Sequence, residues 1–306
     1  TTNSLFAARS GGAVNIAYGR HLQNLGQSYL DNAVTAAKQT RAIDFGKAGG
    51  GRYSWEDTYG HDAWPFVPVT NAALDSYSGG GLVIKNLNAV QAGSDRYENA
   101  GLFGVFSGTK LEDIVLVDAR ATGNNAGALA GTVSNGGGVD VNGCQSYLTT
   151  PTSATRRVQG GVCAGGLIGR AENCVINNSF ASTVVSGPTV GGLVGLGDIL
   201  PVQNSYAAGR LSGGSVGGLV GRGSAIRILN CYAAGTIVRA NTAAGGLSAG
   251  AATVQNAYAA VDYVEKPGEG AVYYGAVASG GKGNVHYLVK SGFNDAVTVA
   301  GVTPVT

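Results

Sequence analysis

Asn204-Ser-Tyr-Ala-Ala-Gly209 and Asn230-Cys-Tyr-Ala-Ala-Gly235 are two copies of one pattern, with Asn178-Ser-Phe-Ala181 before them and Asn256-Ala-Tyr-Ala-Ala260 after. The steps from Asn178 to Asn204, on to Asn230 and on to Asn256 are all 26. A second signature, Gly-Gly-Leu-Ile/Val-Gly, is interleaved with the first. Its leucines are Leu167, Leu193 and Leu219 at the same step, and Leu247 two residues late. A constant step of this size marks stacked structural units.

What fills the repeat positions identifies the unit. Ile176, Val202, Ile228 and Val254 make a β-branched column, and Phe180, Tyr206, Tyr232 and Tyr258 an aromatic one. These residues favour strands, and the runs between glycines, roughly 4–7 residues, are too short for ordinary helices. Glycine at fixed places supplies tight corners and close backbone approach. The pattern predicts an all-β fold, a right-handed parallel β-helix of about 26 residues per coil, in which equivalent residues stack about 4.8 Å apart.

Gly101-Leu-Phe-Gly104, Gly166-Leu-Ile-Gly169, Gly192-Leu-Val-Gly195 and Gly218-Leu-Val-Gly221, with the alternating Asn-Ser/Cys-Tyr-Ala-Ala-Gly element, resemble the GLUG motif of bacterial surface proteins. The resemblance covers roughly residues 100–260. Two copies depart from it: Ala128 stands at the first glycine of Gly127-Ala-Leu-Ala-Gly131, and Ala249 at the last of Gly246-Leu-Ser-Ala-Gly250. The resemblance implies a bacterial, extracellular, adhesin-like β-solenoid, at the cell surface or secreted.

Composition agrees with stacked coils. Glycine is 52 of 306 residues without a collagen period, and charged residues are only 12%, about half the usual share. A formal charge of +2 offers no footprint for nucleic acid, and apolar runs are too short for membrane insertion. The chain starts at Thr1 without Met, suggesting a processed or excised fragment.

Residues 1–48 read as an irregular N-terminal cap with a first coil. Val14–Tyr18 alternates like a strand, Arg20–Leu25 suits a helical turn, and Arg41–Phe45 suits a strand. Related surface proteins carry similar His-Leu-Gln-Asn-Leu and Ile-Asp-Phe elements ahead of the first GLUG coil. Residues 49–306 read as the solenoid, about ten coils with a degenerate C-terminal part. Glu112, Asp113 and Asp118 are expected to face water. The step from Leu129 to Leu167 is 38 where 26 is the rule, which places an inserted loop near residues 145–160.

Ligand-binding candidates lie in two loops. Trp55, Glu56, Asp57, His61, Asp62 and Trp64 combine aromatic faces with carboxylates, a mixture that suits a sugar, although simple packing over the coils is the stronger reading. Arg156 and Arg157 in the insertion suit an anionic partner, against the commoner role of a solvated surface pair. Cys144 and Cys163 bracket that insertion; a disulfide would close about 20 residues and contribute on the order of 3 kcal/mol. The competing reading makes all four cysteines small buried residues, and Cys174 falls in the column of Leu200 and Ile226. The aromatic column is expected to stack within or along the coils rather than form a sugar platform.

No metal centre, cofactor or catalytic constellation is expected. His21, His61 and His286 are far apart, there is no CxxC, and acidic residues do not recur in register. The sequence thus points to a non-catalytic extracellular structural or adhesive module whose loops meet a host or matrix glycan or protein. The alternatives are a subunit of an extracellular filament or pilus joined by end-to-end self-association, and a polysaccharide-active β-helix enzyme.

Overall fold

The computed structural model of the chain describes residues 9–10, 13–26, 34–46, 66–90, 97–150, 157–263, 273–275, 285–288 and 302–305. Each coil crosses three parallel sheets. One complete coil runs through Ile168–Asn177 in sheet 1, Phe180–Ser182 in sheet 2 and Val184–Gly191 in sheet 3. The next repeats it as Val194–Gln203, Tyr206–Ala207 and Arg210–Gly217. The fold is a parallel β-helix. Sheet 2 contains ten described strands, from Ile43–Asp44 to Val302–Val305.

The columns read from sequence are register partners. Ile176 pairs with Val202, Val202 with Ile228 and Ile228 with Val254. Phe180, Tyr206, Tyr232 and Tyr258 follow one another in sheet 2. Strand periodicity sends alternate residues inward. Ile176, Val202, Ile228 and Val254 are buried, as are Ala181, Ala207, Ala233 and Ala259 beside the aromatic column.

The corner between sheets 1 and 2 explains the asparagines. Asn178, Asn204, Asn230 and Asn256 all have φ between +48° and +53°, and the sheet 2 register places Gly143, Asp113 and Gly81 at the same corner of earlier coils, again with positive φ. A Cβ costs roughly 1–2 kcal/mol in this region, and glycine, asparagine and aspartate bear it best. The amides also form a ladder: Asn230 Nδ2 donates to Asn204 Oδ1 at 3.2 Å, and Asn256 Nδ2 to Asn230 Oδ1 at 3.3 Å. The following residue points inward and builds a second ladder. Cys144 N donates to Ser179 Oγ at 3.2 Å, and Ser179 N to Ser205 Oγ at 3.0 Å.

The extra chain between Leu129 and Leu167 is divided rather than confined to residues 145–160. Phe106 pairs with Val133, a step of 27, but Lys110 pairs with Asp140, a step of 30, so three residues enter at the Asn135-Gly-Gly-Gly138 bulge. Val117 pairs with Tyr147, a step of 30, and Ala121 with Val158, a step of 37, so seven more enter between Tyr147 and Val158. The first is a bulge inside the strand Ala130–Asn142 and the second lies between strands, and the ladders on either side of each stay paired.

At the N-terminal end, Ala36–Gln39 and Ile43–Asp44 are full members of sheets 1 and 2, paired to Ser76–Ser78 and Val83–Lys85. The expected helical turn is the helix Gly19–Leu25, which buries Leu22 and Leu25 in the core. Gln23 clamps it to the chain ahead: its Nε2 donates to Val67 O and its Oε1 accepts from Val67 N, both at 3.0 Å. Asp118 departs from expectation. It is buried with φ +54°, accepts from Thr149 N at 2.8 Å and from Thr149 Oγ1, and lies 4.0 Å from Lys85 Nζ. A corner that turns left-handed folds the carboxylate back against the chain leading into the insertion.

Candidate functional site

The Gly-Gly-Leu-Val-Gly corner, between sheets 3 and 1, holds the coil closed. A Cβ at Gly191 would overlap the carbonyl oxygen of Val194, one at Gly192 the carbonyl of Gly218 in the next coil, and one at Gly195 would meet Ala164 N of the previous coil at 2.7 Å. Leu193 between them is wholly buried, as are Leu167, Leu219 and Leu247. Two strands therefore meet backbone to backbone, and the leucine fills the space behind them. The departing residues are absorbed locally: Ala128 is buried, and Ala249 N donates to Gly221 O at 3.2 Å.

A surface of repeated side chains that faces water is the outer side of sheet 2. Phe180 stacks on Tyr206 with ring centroids 4.1 Å apart, and Tyr206 on Tyr232 at 4.7 Å with planes 8° apart. Beside the rings run the exposed Ala208 and Ala234, and at the corner the exposed Asn178, Asn204, Asn230 and Asn256. The stack lies along the coils as expected, on the outside. Rings that cover each other offer their edges to solvent, so the faces between Phe180, Tyr206 and Tyr232 are closed to a sugar. The arrangement presents phenol edges and side-chain amides at a fixed pitch of about 4.8 Å.

Of the residues singled out as ligand-binding candidates, Trp55, Glu56, Asp57, His61, Asp62, Trp64 and Arg156 lie outside the described residues. Arg157 is described: it stands at the end of the insertion, and its carbonyl accepts from Ala121 N at 3.2 Å. The opposite end is tied by the Asp118–Thr149 contacts, so both roots of the loop are fixed to the previous coil.

The Cys144–Cys163 disulfide is not formed; all four cysteines are free and buried. Cys144 occupies the inward serine column of the sheet 1–sheet 2 corner, whereas Cys163 lies in sheet 3, where its Sγ donates to Asn125 Oδ1 at 3.1 Å. Both flank the insertion in sequence, yet they stand on different faces of the coil. Burial pushes the Cys144 thiol up to about 12 and the Cys163 thiol up to about 11, the latter opposed by Arg170. Cys231 takes the serine position one coil after Ser205, with its Sγ 3.1 Å from Leu229 O. Two features escaped the sequence reading, the left-handed corner and its inward serine ladder. Gly, Asp or Asn at the same corner of the coils from Gly81 to Asn256 was the available signal.

Residues 212–238, which hold one glycine corner and one asparagine corner, match the family model described as the GLUG motif. This segment is a GLUG motif. In register with it lie Gly166-Leu-Ile-Gly169 and Gly192-Leu-Val-Gly195, so the GLUG coil recurs in the β-helix. No curated protein matches the chain. Among solved structures, a crystal structure described as "a putative immunoglobulin A1 protease from Bacteroides ovatus" is similar over 90% of this chain and 87% of that one. Its TM-score is 0.52 and its identity 17%, a likeness of fold. Among the described residues, no group of three or more His, Cys, Asp or Glu side chains could hold a metal ion, and no helix is long and apolar enough to cross a membrane.

Proposed function

We propose that the chain is a non-catalytic structural and adhesive module of a bacterial extracellular surface protein, a stiff GLUG β-helix that carries loops to a host or matrix ligand. The observation that supports this reading is the outer side of sheet 2, where backbone ladders hold amides and aromatic edges in line along successive coils. Repetition that brings together no group of three or more His, Cys, Asp or Glu side chains among the described residues suits contact with an extended partner, and the tied insertion adds a distinct feature at one coil. The GLUG match supports the surface assignment by family.

The test is a binding panel of host glycans and matrix proteins immobilised and probed with the purified chain, run beside Tyr206→Ser/Tyr232→Ser. Saturable binding to one partner, weakened in the variant, supports the reading. Parallel incubation with immunoglobulin A1 and with acidic polysaccharides is the opposing arm, since turnover of either would replace an adhesive role with a catalytic one.

A further inference from the structure

Arg120 opens the sheet 3 strand Arg120–Gly127, and Arg157 immediately precedes the next one, Val158–Gly165. Ala121 pairs with Val158, so the two arginines are register neighbours. Ala121 and Val158 are fully buried, which puts both guanidinium groups on the outer face. Parallel neighbours lie about 4.8 Å apart, and like charges so placed repel. No carboxylate among the described residues pairs with either; Asp118, two positions before Arg120, is engaged by Thr149 and Lys85. Arg120 Nε is buried and has no hydrogen-bond partner, and neither has Oδ1 of Asn88, its register partner on the other side. A buried donor on a cation without an acceptor is costly, and here it sits beside a second cation.

We propose that Arg120 and Arg157 form a binding site for a phosphate group at the root of the insertion. The planar guanidinium fork matches the geometry of an oxyanion, and two forks in adjacent coils present two positive charges to one ligand. A carboxylate carries one negative charge, whereas a phosphate monoester carries about 1.5 to 2 near neutral pH and has three acceptor oxygens. Phosphate therefore offsets both charges through the outward ends of the two guanidinium groups. Thr122 and Gln159, two residues further along on the same face, add a hydroxyl and an amide donor. The site deepens the ligand-presenting reading by naming a ligand chemistry. Phosphate binding without any host or matrix ligand would leave the site standing while that reading fell.

The experiment titrates the full chain with inorganic phosphate and with glucose 6-phosphate, and with acetate at matched ionic strength, followed by amide chemical shifts and melting temperature. Saturable shifts around residues 120 and 157 with the phosphates, and not with acetate, are expected. Arg120→Gln and Arg157→Gln should each weaken binding by about tenfold or more, the loss of a charge-assisted hydrogen bond. Arg157→Gln should also melt higher than the parent without phosphate, because the repulsion is gone. Arg210→Gln, in the same column between Val184 and Thr236, should bind as the parent does. Tighter binding of one phosphate source tells whether the free ion or a phosphorylated sugar is the better ligand. Equal shifts with acetate, or an Arg157→Gln variant that titrates and melts like the parent, would overturn the site.

Discussion

Coils between Gly165 and Leu247 keep a step of 26, stretched to 28 in the last of them, while those between Ile84 and Phe180 step by 32, 30 and 35, yet both groups pair into the same three sheets. What the two regions share is corner chemistry. Gly81, Asp113 and Gly143 hold the left-handed corner in the irregular coils just as Asn178, Asn204 and Asn230 hold it in the regular ones. Length is free at a bulge or between strands; backbone conformation at the turn is not. A β-helix can therefore take on an insertion such as that between Tyr147 and Val158 without disturbing its neighbours, because each coil answers only to the ones above and below.

The largest expected effect separates a closed corner from an insertion. Gly191→Ala forces a Cβ into the Val194 carbonyl with backbone on the other side, and should cost about 3 kcal/mol or more in urea unfolding. Gly137→Ala, in the bulge, meets only Asn135 Oδ1 at 3.5 Å and should fall within about 0.5 kcal/mol of the parent. At the corner shared by both regions, Asn204→Ala should cost about 1–2 kcal/mol, and Asn204→Gly distinctly less, since glycine tolerates the φ of +48°.

The comparison can also be sharpened in the stabilising direction. Ile199 and Ala225 follow Asn173 in a second left-handed column, within the long strands of sheet 1. Ile199 is 55% exposed and β-branched at φ +49°, so its side chain gains little from burial and bears the conformational cost. Ile199→Asn should raise stability by about 1 kcal/mol, read as a shift in the urea midpoint with unchanged slope.

The smallest effect is local to the N-terminal closure. Burial lowers the pKa of His21 from its ordinary 6.5, opposed by a backbone hydrogen bond at Asn15, and its Nδ1 accepts from Ala17 N at 3.2 Å. The unfolded chain then binds more protons than the folded one below that value. The contribution is complete above pH 6.5 and is lost as pH falls through the depressed folded pKa. Amide exchange across residues 17–26, corrected for intrinsic rate, should be faster at about pH 5 than at neutral pH, with residues 190–220 unchanged.

Much of this was legible in the sequence. Strand columns, the β-helix and the glycine corner follow from identical spacing of Leu167, Leu193 and Leu219, because register stacking and sequence period are the same fact. That Cys144 and Cys163 stay apart as free thiols was not, since a gap in sequence carries no information on which of three faces each residue occupies. Burial of Asp118 was hidden for a related reason. Strand alternation predicts facing only within a strand, and a left-handed corner resets it. The Arg120–Arg157 juxtaposition needed the register across an insertion of unequal length, which only the pairing of Ala121 with Val158 supplies.

Stacking of successive coils in register is the claim on which the rest depends, and it can be read directly from Ala208 and Ala234, both exposed just past the sheet 2 strands and one coil apart. Cysteines at these two positions labelled with pyrene, the native thiols being buried, should show strong excimer emission in the folded chain. Labels at Ala208 and at Asn241, in the sheet 3 strand Thr236–Gly245, should not. Monomer emission from the 208/234 pair under folding conditions would contradict the in-register β-helix.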